Sequence, residues 1–151
     1  MNKIGVYIKS ILVPVLLGGI VGFIISSFID YNSLQKPPFA PPSILFPIIW
    51  TILYILMGVS YGRLKSKELT DEKISMIYYL QLVINLLWPI FFFILKWRLF
   101  AFFWIILLDV VVIIMIMRFY KKDKISGLLQ IPYLLWSLFA TYLNLGVYIL
   151  N

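Results

Sequence analysis

Apolar residues run almost without interruption from Ile11 to Ile29, Ile44 to Gly62, Ile74 to Leu95, Leu99 to Met117 and Ile125 to Leu150, with short polar segments between them. Each run reaches the roughly 18 residues that an α-helix needs to cross about 30 Å of hydrocarbon. A helix satisfies its own backbone hydrogen bonds, as a lipid solvent demands. The pattern predicts an all-α integral membrane protein, a five-transmembrane-helix bundle. The connections Asp30–Ser43, Arg63–Lys73, Lys96–Arg98 and Arg118–Lys124 are too short for a second domain, so residues 1–151 are expected to form one unit. Lys3 and Lys9 precede the first run in the manner of a signal peptide. The run is too long for one, however, and no small-residue cleavage site follows it.

Composition agrees with a lipid solvent. Of 151 residues, 63% are hydrophobic and 13% charged, far more apolar surface than one small soluble core could hide. The chain has neither cysteine nor histidine, which excludes disulfides and thiolate chemistry and removes the commonest metal ligand and general base. The formal charge of +7 does not point to nucleic acid, because the cations lie at the ends of the apolar runs. There they set topology and meet anionic headgroups. Lys3, Lys9, Arg63, Lys65, Lys67, Lys73, Arg118, Lys121, Lys122 and Lys124 fall on the N-terminal side, against Lys36, Lys96 and Arg98 on the other. This asymmetry places the N-terminus in the cytoplasm and the C-terminus outside.

Within the spans, three stripes recur at helical spacing. The second span carries Phe46, Trp50, Tyr54, Met57 and Tyr61 on one face, and the third carries Gln81, Asn85, Trp88 and Phe92. The fifth carries Tyr133, Trp136, Ala140, Leu143 and Val147 beside a polar row of Ser137, Thr141 and Asn144. Aromatic stripes serve core packing, and mid-span amides serve either an interhelical hydrogen bond or a wet cavity. The sequence leans towards a cavity for Gln81 and Asn85.

Asp109 is the one ionisable acid or base inside a span. With no intramembrane Lys, Arg or His to pair with, it is expected to be protonated or held by Tyr, Trp, Ser or Asn donors, and a structural bond to a neighbouring helix is favoured over a proton relay, which needs a chain of titratable groups. Gly18 and Gly22 form a G-x-x-x-G pair, and so do Gly58 and Gly62. Such pairs suit close helix approach within the bundle and equally a homodimer.

The segment LQKPPFAPPSILFP, Leu34 to Pro47, holds five prolines. It cannot be helical across Pro37–Pro42 and is predicted to be a semi-rigid strap. Pro47 is tolerated in the first turn of the second helix, where amides have no intrahelical partner. The strap either separates two spans or acts as a pre-organised lid above the aromatic wall.

The runs SLQKPPFAPP (33–42) and FPIIWTILYILMG (46–58) closely resemble the signature of the TspO/translocator protein family, in its bacterial form. QLVINLLWP (81–89), Asp109 and PYLLWSLFATYLN (132–144) resemble its third-helix motif, fourth-helix acid and fifth helix. The resemblance implies a five-helix bundle, usually a homodimer, with a pocket under the first loop for tetrapyrroles such as protoporphyrin IX. By position, Tyr31, Pro41, Phe46, Trp50, Tyr54, Asn85, Trp136 and Ala140 would line it, joined by Trp88 and Leu143 from the stripes. Some members are linked to light- and oxygen-dependent porphyrin breakdown in which pocket tryptophans take part, a role that falls on Trp50 and Trp136. No metal or other cofactor is then required, and enzymatic turnover and photochemistry at a bound dye both fit. A carrier of hydrophobic ligands and a regulatory scaffold are the alternatives. Two departures stand out: Phe39 replaces a tryptophan of the opening motif, and the C-terminal Val147-Tyr148-Ile149-Leu150-Asn151 lacks the basic residue of the sterol motif.

Overall fold

The computed structural model describes residues 2–151, and among these it is helical without a strand. The helices are α1 (Lys3–Ile25), α2 (Leu45–Ser66), α3 (Glu72–Pro89), α4 (Arg98–Lys122), α5 (Lys124–Leu128) and α6 (Ile131–Leu150). Two 3₁₀ turns, Ser26–Phe28 and Tyr31–Ser33, follow α1, and a π-helical turn, Ile90–Ile94, follows α3. Five segments are long and apolar enough to cross a membrane: Lys3–Phe28, Leu45–Ser66, Glu72–Ile94, Arg98–Lys122 and Lys124–Leu150. The chain is a multi-pass integral membrane protein.

The helices outrun the apolar stretches that announce them. The first begins at Lys3 rather than Ile11, because the Asn2 side chain accepts from the Ile4 amide at 3.0 Å and caps it. The second and fourth continue to Ser66 and Lys122, carrying basic residues in their last turns. Hydropathy marks where lipid lies, whereas a helix continues until its ends are capped. The expected span Ile125–Leu150 is broken: α5 ends at Leu128, and α6 restarts at Ile131 with Pro132 in its first turn. Asp123 caps α5 by accepting from the Ser126 amide at 3.0 Å. Pro89 ends α3, and the chain widens into a π turn closed by Leu95 N to Ile90 O at 3.0 Å.

Packing follows from spacing. On α4, Ala101, Ile105, Leu108, Val112, Met115 and Phe119 recur every three or four residues and are each at most 1% exposed. They form the stripe against which α3 and α6 pack. Helix α1 is peripheral: Ile4, Ile8, Leu16, Ile20 and Phe23 stay exposed, as a lipid-facing helix requires. It is held by α2, where a Cβ at Gly58 would collide with the Ile11 backbone and the Ser10 carbonyl. Pro14, which has no amide hydrogen, leaves that Ser10 carbonyl without its helical donor. Gly62 similarly admits Ser10 and Tyr7, whereas Gly22 faces open space. The second glycine pair thus serves packing inside the bundle.

Ion pairs bind the two ends. At one rim Asp30 meets Arg98 at 2.8 Å and Lys96 at 3.8 Å. At the other, Asp123 meets Arg63 at 2.6 Å and Lys67 at 2.9 Å, while Asp71 meets Lys122 at 2.9 Å. The bonds from Arg63, Lys67 and Ser126 hold the Asp123 carboxyl well below the usual carboxylate range.

Candidate functional site in the cleft between α2 and α6

Helices α2 and α6 touch only sparsely along their length. The gap is a laterally open apolar groove of about 400 Å³, lined by Ile49, Ile52, Leu53, Leu56, Pro132, Leu135 and Trp136. Its upper end is aromatic. The Tyr31 ring meets Phe46 edge-on at 5.0 Å, and Phe46 meets Trp136 at 5.7 Å. Trp50 lies 5.7 Å from Tyr54 and 6.3 Å from Tyr133. The Trp136 side chain borders the groove, while its indole N–H is buried and has no acceptor within the protein.

Behind these rings lies a continuous hydrogen-bonded chain. Tyr54 donates to Asn85 Oδ1 at 2.7 Å, Asn85 Nδ2 donates to the Tyr133 hydroxyl at 2.8 Å, and that hydroxyl donates to Gln81 Oε1 at 2.7 Å. Gln81 Nε2 ends the chain on the Met57 sulfur at 3.4 Å. Gly18 of α1 makes room for the Tyr54 ring, since a Cβ there would overlap it. The lean towards a wet cavity for Gln81 and Asn85 is therefore corrected: both amides are engaged by side chains of α2 and α6. A buried amide in lipid is retained where its capacity is filled, and three helices supply the partners here.

Asp109 has the predicted hydroxyl partners. Ser137 donates to one carboxyl oxygen, and Thr141 contacts the other at 2.6 Å. Both donors lie on α6, so the acid ties α4 to α6. Trp88 bridges α3 to α6 by donating to Asn144 Oδ1 at 2.9 Å, and it stacks on Phe92 at 5.1 Å.

The proline strap is tied down at both ends. Tyr31 donates to the Pro41 carbonyl at 2.6 Å, and the Lys36 ammonium donates to the carbonyls of Tyr31 and Leu34 at 3.0 and 3.1 Å. Tyr142 donates to the Pro38 carbonyl at 2.7 Å. Gln35 exchanges two hydrogen bonds with the Asn151 side chain, at 3.1 and 2.9 Å. Phe39, at the turn of the strap with φ 69°, is 89% exposed. Its side chain therefore takes no part in the packing of the cleft.

Of the residues expected to line a pocket, Tyr31, Phe46 and Trp136 form one aromatic run, with Pro41 fastened to Tyr31. Trp50 and Tyr54 stand together as a second aromatic group, against the buried Tyr133–Asn85 pair. Ala140 and Leu143 are buried on α6, and Trp88 is turned towards Asn144. The open volume lies lower and further to the side than the loop suggests. Its lining of Ile49, Ile52, Leu53, Leu56, Pro132 and Leu135 was not among the expected residues. Aliphatic side chains at membrane depth look alike in sequence whether they meet a groove or lipid. Tyr133 had a signal, its place in the fifth-span stripe.

The TspO/MBR family profile matches residues 10–150. The chain is 42% identical over 122 residues to a tryptophan-rich protein TspO of Archaeoglobus fulgidus, covering 80% of this chain and 79% of that protein. It is 35% identical over 136 residues to protein CrtK of Rhodobacter capsulatus, covering 88% and 85%. It is also 36% identical over 120 residues to the translocator protein of Ovis aries, covering 76% and 70%. A match over nearly the whole length, carried by five membrane spans, a proline strap and an aromatic cleft, makes this chain a member of the TspO/MBR family.

Proposed function

We propose that the protein is a receptor-like membrane protein that binds a tetrapyrrole of the protoporphyrin IX type in the cleft between α2 and α6, beneath the proline strap. The observation that carries this reading is the aromatic run Tyr31–Phe46–Trp136 with Trp50 and Tyr54, set at the head of a groove of about 400 Å³ that opens sideways towards lipid. A flat hydrophobic ring is recognised by stacking and edge contacts with aromatic side chains. Such a ligand partitions into the bilayer, so a lateral opening suits its arrival.

Tryptophan is also an oxidisable donor, and Trp50 and Trp136 flank the proposed ligand. They are the candidates for light-driven breakdown of the bound ring in the presence of oxygen. The chain contains no histidine or cysteine to give a strong axial bond, so the free-base ring is expected to bind about as well as haem, with Tyr or Met the remaining weak ligands. Absorbance titration with protoporphyrin IX, in the dark and under illumination, tests the reading. Saturable binding with a shifted Soret band is expected, followed by light-dependent loss of absorbance. Absence of saturable binding overturns it. In labelled proteoliposomes, no counterflow of porphyrin is expected; counterflow would identify a carrier instead.

A further inference from the structure

The hydrogen-bonded chain behind the cleft stops at Gln81 and Met57, yet polar groups continue below it. Gln130 is 0% exposed, and neither its amide nitrogen nor its amide oxygen has a partner among the protein's groups. Tyr78 is 1% exposed, and its hydroxyl is likewise unpartnered. These two side chains lie on adjacent rungs of the same ladder. Tyr78 precedes Gln81 by three residues on α3, and Gln130 precedes Tyr133 by three residues at the start of α6. Gln81 and Tyr133 are bonded to each other at 2.7 Å. The third and fifth membrane segments run in the same direction, so one turn back from that bond, about 4.5 Å along each axis, both orphaned groups come to the same level.

Their surroundings offer no substitute partner. Tyr78 is sandwiched between Tyr61, stacked at 4.2 Å, and Phe119 at 6.2 Å, so its ring is fixed and its hydroxyl cannot swing out. A buried primary amide with both ends empty is costly, and a phenol beside it adds to the deficit. An apolar residue would be better in both places if the space were dry. The combination of donor, acceptor and hydroxyl is the two-to-four-partner coordination that holds an internal water.

We infer that Tyr78 and Gln130 form a binding site for internal water, one or two molecules, that extends the polar ladder from the Gln81 level towards the N-terminal end of the bundle. The bound water accepts from Gln130 Nε2, donates to Gln130 Oε1 and is shared with the Tyr78 hydroxyl. The cleft then has behind it a hydrogen-bonded column, Tyr54–Asn85–Tyr133–Gln81, whose foot is hydrated. This inference stands independently of which ligand the cleft takes.

The test uses the full chain, isotopically labelled, in lipid nanodiscs. Magnetisation transfer from water to the Gln130 amide protons is expected by NMR, and it should weaken in Tyr78→Phe. Gln130→Met and Tyr78→Phe should each lower Tm, and the double variant should lose less than the sum, because both act through the same water. Absence of transfer to the Gln130 amide in the unaltered protein overturns the inference. A rise in Tm for Gln130→Met also overturns it, since only a dry orphan is relieved by an apolar replacement. Should Gln130→Met not fold, the transfer measurement on the unaltered protein still decides.

Discussion

The Tyr142 hydroxyl donates to the Pro38 carbonyl at 2.7 Å, and one turn further along α6 the Pro37 ring sits where a Cβ at Gly146 would have to go. The strap is thus seated on α6, the same helix that supplies Trp136 to the cleft. Tyr142→Phe removes one solvent-accessible hydrogen bond and should speed protoporphyrin release by roughly threefold, the low end of what such a bond contributes. Gly146→Val lifts the strap outright and should have the larger effect. Stopped-flow dissociation measures both, and rates equal to those of the unaltered protein would show that the strap does not cover the ligand.

Trp50 and Trp136 separate binding from chemistry. Phenylalanine keeps most of the contact area but not the indole's ease of oxidation. Trp50→Phe and Trp136→Phe should each retain affinity to within about tenfold, roughly 1.4 kcal/mol, while light-driven loss of porphyrin absorbance falls sharply in at least one. Trp104, which donates to the Ile84 carbonyl at 2.8 Å on the far side of α3, is the control, and Trp104→Phe should alter neither quantity. Equal degradation in the unaltered protein and both cleft variants would assign the breakdown to free photochemistry.

Gly58 and Gly22 should behave oppositely although both belong to G-x-x-x-G pairs. Gly58→Ala forces its Cβ against the α1 backbone, which cannot yield as a side chain would, and overpacking of this kind typically costs 1–3 kcal/mol, taken here as an order of magnitude. Gly22→Ala meets nothing within 4 Å in the bundle and should leave Tm unchanged. Gly22→Leu tests whether two copies meet through this face of α1: a loss of cross-linked dimer without a lower Tm would place the contact there. Thermal denaturation and cross-linking in the same detergent distinguish the cases.

Asp123 makes stability depend on pH in a defined direction. Its folded-state pKa is depressed, chiefly by the bond from Arg63, so its contribution is fully present above the ordinary carboxylate pKa of about 4. That contribution is lost as the pH falls from there through the lowered value. Asp123→Asn should therefore reduce Tm at neutral pH, and the gap to the unaltered chain should narrow below about pH 4. A gap that stays constant down to acid pH would mean that the carboxylate charge is not what joins α2 to α5.

Topology can be read with introduced cysteines, since the chain has none of its own. Lys65 is exposed at the end of α2, and Phe39 is exposed at the turn of the strap. Lys65→Cys should be cytoplasmic and shielded from an impermeant thiol reagent in intact cells, and Phe39→Cys should be labelled. The reverse pattern would invert the bundle and place the strap on the cytoplasmic side.

The sequence by itself determined the number of spans, because crossing lipid requires an uninterrupted apolar helix and hydropathy records that demand directly. It also determined that α6 and α3 carry polar rows, that Asp109 must be protonated or held by polar donors and that the Pro37–Pro42 strap is not helical. Each of these follows from a local constraint: a helical period, a missing amide hydrogen or a charge in lipid. Only the tertiary structure decided what the polar rows meet. Gln81 and Asn85 could face water or one another's neighbours at the same spacing, and the choice fell to Tyr54 and Tyr133, which lie on other helices and more than thirty residues away from Asn85 in one case, more than forty in the other. The same holds for the glycine pairs, alike in sequence, of which Gly58 is pressed against α1 and Gly22 is open. The groove was the least legible feature, since Ile49, Leu53 and Leu135 line it with side chains that lipid-facing positions also use, and a gap between two helices is a property of their packing that neither helix encodes alone.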